Sequence, residues 1–111
     1  MEYVIHKNKT NWGTTWHIIT SDGMGHIEAC IEDDSPDTIF FSGLSVMPEK
    51  RHQGIGTDLI SQAEKIGCSY NVKRLRINVE KPDNGLYDWY KKLGYVIWDE
   101  DDTYVYMIKY I

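Results

Sequence analysis

Arg51, Gly54 and Gly56 stand in an R-x-x-G-x-G spacing, between a strand-like run ending at Val46 and a helix-like run reaching Ile66. That spacing suits the holding of a phosphate. A helix start presents N–H groups with no intrahelical acceptor, together with the positive end of the peptide dipole. Glycine lets a ligand come close to such backbone, because it lacks Cβ and tolerates positive φ. Lys50, Arg51 and His52 add positive charge, and Thr57 adds a hydroxyl. Two glycines could equally do no more than turn the chain into its helix. Two rival phosphate loops are excluded. There is no G-x-x-x-x-G-K-[ST] run, and there is no third glycine for a dinucleotide fold.

The surrounding elements must present this loop. Strands are expected over Glu2–Lys7, Thr15–Thr20, Gly25–Ile31 and Thr38–Val46, the last more continuously apolar and so central. A helix is expected from about Gly54 to Ile66, with Ile55, Leu59, Ala63 and Ile66 on one face and Gly67 as its stop. Arg74–Glu80 reads as a strand. Pro82-Asp83-Asn84-Gly85 then opens a short helix, with Asp83 as candidate N-cap and Gly94 at its end. Tyr95–Trp98 and Thr103–Tyr110 close the chain as strands. The order β-β-β-β-α-β-α-β-β predicts an α/β (α+β) domain over 1–111. Its sheet is mixed, mostly antiparallel, with two helices.

Composition narrows the function. A net charge of −5 disfavours nucleic acid and favours a cationic partner. No apolar run is long enough to span a bilayer, and the N-terminus lacks the basic-then-apolar order of a secretory signal. The expectation is a cytoplasmic protein with no membrane or nucleic-acid partner. Cys30 and Cys68 form no metal-type pair, and the four histidines are scattered without ligand spacing, so no metal is expected.

The run Leu44-Ser-Val-Met-Pro-Glu-Lys-Arg-His-Gln-Gly-Ile-Gly-Thr-Asp-Leu-Ile60 resembles the acyl-CoA signature of the GNAT-type N-acetyltransferase superfamily. Asp83-Asn84, followed by Trp-Tyr-Lys-Lys-Leu-Gly-Tyr from Trp89 to Tyr95, is similar to the family's later motif. The resemblance implies a GNAT-like fold and transfer of an acetyl group from acetyl-CoA directly to a primary amine. It implies that the backbone of Leu44 and Val46 bonds the pantetheine arm. It also implies that Arg51, His52, Gln53, Gly54, Ile55, Gly56 and Thr57 cradle the pyrophosphate, and that Asn84 touches the donor. Tyr90 matches the tyrosine that protonates the departing thiolate. A phenol near pKa ~10 is protonated at neutral pH and can serve as that acid. Tyr87, one turn earlier, is the runner-up, and core packing is the alternative for either ring.

The acceptor half is less legible. Relatives insert one or two helices between the first two strands, whereas here only Asn8–Thr14 intervenes. The acceptor site is then open, completed by a second subunit in a homodimer, or shaped for a protein amine rather than a small molecule. Glu28, Glu32, Asn78 and Glu80 are candidates for its lining, and no base is assigned. A non-catalytic acyl-CoA sensor or regulatory module is the competing reading.

Overall fold

A computed structural model of the chain describes residues 2–51, 53–81 and 84–111, with Asn84 described by its backbone alone. The elements are β1 (Tyr3–Lys9), β2 (Gly13–Thr20), β3 (Gly25–Glu32), β4 (Thr38–Val46), a 3-10 turn (Pro48–Lys50), α1 (Ile55–Ser69), β5 (Arg74–Glu80), α2 (Asn84–Lys92), β6 (Val96–Glu100) and β7 (Tyr104–Tyr110). They form one seven-stranded sheet in the order β1-β2-β3-β4-β5-β7-β6. β4 and β5 pair in parallel, and every other neighbouring pair is antiparallel. The expected element order and sheet type are therefore present, with β4 in the middle position.

The sheet's period-two alternation sorts its side chains into two faces. Trp16, Ile18, Ile27, Ala29, Ile39, Phe41, Leu75, Ile77, Val79, Val105 and Met107 are buried on one of them. α1 lays Ile55, Leu59, Ile60 and Ala63 against this face. Gly25 permits the close approach, since a Cβ there would lie 3.1 Å from Ile55 and 3.2 Å from Leu59. α2 covers the same face, with Tyr90 in the core and Trp89 against α1 at Gly56. The opposite face carries His6, His17, Glu28, Phe40, Arg76, Tyr106 and Trp98, and no helix covers it among the described residues. Arg76 is held there between the rings of Phe40 and Trp98, 4.9 and 4.5 Å from their centroids.

Several boundaries differ from expectation. α1 runs through Gly67 to Ser69, so Gly67 is not the stop. A Cβ at Gly67 would come within 2.9 Å of Val72 and 3.1 Å of Ile39, so this glycine serves close helix–sheet packing. The left-handed residue that turns the chain is Asn71, with φ 60, a conformation asparagine tolerates. The link between β1 and β2 is only residues 10–12, tighter than the expected loop. The candidate N-cap Asp83 lies outside the described residues.

Candidate active site

The site begins where the sheet ladder fails. β4 and β5 pair from Thr38↔Arg74 to Phe41↔Ile77 and no further, although both strands continue. On its other side β4 carries a bulge. His26 faces Ser45 and Glu28 faces Ser42, so Gly43 and Leu44 together oppose the single residue Ile27. Gly43 adopts φ 63, which a side chain would oppose. Gly43 and Leu44 thus have no register partner on either neighbouring strand. A cavity of about 160 Å³ occupies the gap, lined by Ser42, Gly43 and Leu44 of β4, Asn78 and Glu80 of β5, and Tyr90 of α2.

A larger groove of about 740 Å³ continues from it between the two helices. Leu44 and Leu86 line both spaces, so they are continuous. The groove's far end is made by Lys50, Arg51, Gly54, Gly56 and Thr57. Gly54 is the N-cap of α1 at φ 79, and no side chain caps the helix. The first intrahelical bond is donated by Asp58 N–H to the Gly54 carbonyl at 3.0 Å, so the N–H groups of Ile55, Gly56 and Thr57, residues that border the groove, have no intrahelical acceptor. A Cβ at Gly54 would meet nothing within 4 Å, so the space above it is open to a ligand. At Gly56 a Cβ would press on the Trp89 ring at 3.3 Å, so glycine keeps the two helices close.

The loop is tied down by its own side chains. Arg51 Nε donates to the Val46 carbonyl at 3.0 Å, and Gln53 Nε2 donates to the Glu49 carbonyl at 3.3 Å. Met47 N–H donates to Met24 O at 2.8 Å, fixing the end of β4 to the turn before β3. Leu44, Val46, Arg51, Gly54, Ile55, Gly56 and Thr57 all border the groove. Ile55 is buried in the core, so only its backbone is available to a ligand. Gln53 is exposed and does not line the groove. His52 lies outside the described residues, and Asn84 contributes a backbone position at the start of α2.

Tyr90 is 3% exposed and borders the cavity where the groove ends. The rings of Trp89 and Tyr95 hold it at 4.9 and 5.9 Å between centroids. The oxygen of Tyr87, the runner-up, is buried with no hydrogen-bond partner, and its ring lines neither space. Tyr95 donates to Glu64 Oε2 at 3.0 Å, and Lys109 Nζ reaches the same oxygen at 3.1 Å. Burial, reinforced by Glu64, holds the Tyr95 phenol well above its usual range.

One feature escapes sequence reasoning altogether. His17 and His26, scattered in the chain, lie edge to face with centroids 5.5 Å apart on the helix-free side. No group of three or more His, Cys, Asp or Glu residues among those described could hold a metal ion.

The Acetyltransferase (GNAT) family profile matches residues 3–95, spanning the gap, the groove and Tyr90. The chain belongs to the GNAT acetyltransferase family. Solved GNAT structures share its fold. The IAA acetyltransferase of Bacillus cereus superposes with a TM-score of 0.77 at 12% identity, over 99% of this chain and 100% of its own. A GNAT acetyltransferase of Elizabethkingia anophelis, solved with acetyl-CoA bound, gives 0.77 at 14% identity over 98% of each chain. The PaiA N-acetyltransferase of Thermoplasma acidophilum, solved with coenzyme A, gives 0.75 at 24% identity. That match covers 87% of this GNAT chain but only 60% of PaiA. No curated protein matches this GNAT chain by sequence. No helix of the described residues is long and apolar enough to cross a membrane.

Proposed function

We propose that this GNAT chain transfers an acetyl group from acetyl-CoA to a primary amine. The observation that carries this reading is the continuous path from the uncapped start of α1, past Leu44 and Leu86, to Tyr90 in the gap between β4 and β5. The backbone N–H groups at Gly54, Ile55 and Gly56 hold the pyrophosphate, with Lys50 and Arg51 beside it. The pantetheine arm lies along Leu44–Val46, replacing the strand partner that β5 no longer supplies. The thioester then sits at the bulge, where a backbone N–H near Leu44 stabilises the oxyanion.

α2 and Tyr90 close the gap from the helix side, so the amine arrives from the helix-free face. Its nitrogen forms the new C–N bond, the C–S bond breaks, and Tyr90 gives its phenolic proton to the departing sulfur. The proton lost by the nitrogen restores Tyr90. The acceptor is a small amine or a protein amine. The same bare face is where a second subunit of a homodimer would complete the site.

Thermal unfolding with and without CoA, alongside thiol release from acetyl-CoA over an amine panel that includes peptides, tests the reading. Ligand at a hundred times its Kd stabilises the fold by about 2.7 kcal/mol. A shift with amine-dependent thiol release is expected. A shift with no release for any amine leaves the acyl-CoA sensor, and the absence of any shift overturns both.

A further inference from the structure

His26 stands at the bulge that shapes the cavity. Its Cε1 lies 3.9 Å from the point a Cβ would occupy at Gly43, a residue that lines the gap. Gly43 is thus the cavity-lining residue next to the imidazole edge, and the imidazole itself lines neither the cavity nor the groove. Nδ1 of His26 and Nε2 of His17 are buried with no hydrogen-bond partner, and the two rings cross at 86°. Neither imidazole is tied into a hydrogen bond or an ion pair among the described residues. By register, the other titratable groups on this face are His6 on β1 opposite His17, Glu28, Cys30 and Glu32 on β3, Arg74, Arg76 and Glu80 on β5, Tyr104, Tyr106 and Tyr110 on β7, and Asp99 on β6; of these only Glu80 lines the cavity. Near the bulge β4 presents the hydroxyls of Ser42 and Ser45 on this face.

An amine is protonated in neutral water and must lose a proton before it can attack. Imidazole is the side chain matched to that transfer near neutrality. A solvated carboxylate titrates near ~4.3 and is a much weaker acceptor. Glu28 and Glu80 are both exposed.

We infer that His26 is the base that takes this proton, through a bridging water, and passes it to solvent, with the His17 ring holding the imidazole beside the bulge. The inference rests on the acyl-transfer reading above. The N–H bond of the ammonium breaks, its proton passes to the water as the water gives one to the imidazole, and the nitrogen's freed electron pair forms the C–N bond.

The experiment compares the parent protein with His26→Ala and His26→Gln, using acetyl-CoA and the best amine of the panel. Circular dichroism and the CoA thermal shift establish that each variant is folded and binds donor. Both variants are expected to lose about 100-fold in kcat with little change in KM for acetyl-CoA. Added imidazole should restore part of the rate in His26→Ala, in proportion to its concentration. A residue that merely held the bulge in place would show no such rescue, and its loss would be repaired by glutamine. Wild-type kcat in His26→Gln, or a loss in His26→Ala that imidazole does not touch, overturns the inference. So does a larger loss in Glu80→Gln than in His26→Gln. An active parent with active variants sinks this inference alone, whereas a parent that acetylates nothing sinks the proposed function beneath it.

Discussion

Tyr90 is buried among aromatic rings and still borders the cavity between β4 and β5, so its packing and its proposed chemistry can be separated. Tyr90→Phe keeps the ring and removes the proton. A fall in kcat of about 100-fold is expected, with KM for acetyl-CoA nearly unchanged, read by thiol release. Tyr95 carries a different burden. Its raised pKa means that the folded protein keeps a proton that the unfolded chain gives up near ~10. Its contribution to stability is complete below that pH and drains away as the pH rises through it. Melting temperatures from pH 8 to 11 should therefore fall more steeply for the parent than for Tyr95→Phe. The glycine loop is legible in the sequence because it sits inside a contiguous run with a chemical logic of its own, and Tyr90 is singled out by the resemblance of its run to the family's later motif. The pairing of His17 with His26 is not, because it exists only through the β2–β3 register and the tilt of two rings.

Gly54 shows how an element can carry a site. It has φ 79 and open space where a Cβ would lie, so a side chain there is strained by the backbone rather than by its neighbours at Cβ. Gly54→Val should cost about 1–2 kcal/mol of stability and weaken CoA binding about tenfold or more, measured by calorimetric titration, by covering the N–H groups at the start of α1. The helix itself was readable from Ile55, Leu59 and Ala63, yet its end was not. Gly67 has the composition of a stop signal, but contact with Val72 and Ile39 dictates its identity, and those neighbours come from other elements. The bulge at Gly43 is invisible for the same reason. Its extra residue is defined only against the partner strand, and the sequence holds no partner.

At the scale of the molecule, a sheet helix-covered on one face places most of the apolar core in a single layer. Leu59 is fully buried at its centre, so Leu59→Ala should cost about 2–5 kcal/mol in urea unfolding. The link at residues 10–12 is too short to hold a helix, and among the described residues no helix lies on the sheet's other face. β1 to β4 form consecutive antiparallel hairpins, and β5 to β7 form a second antiparallel group. Within the sheet the two groups meet through only the short parallel run from Thr38 to Phe41. The gap between β4 and β5 is therefore also a seam in the sheet. A donor laid into it would act as a surrogate strand and stitch the halves together. Backbone amides at residues 42–46 and 78–80 should then slow their exchange with deuterated water far more on CoA binding than those of the outer strand β1.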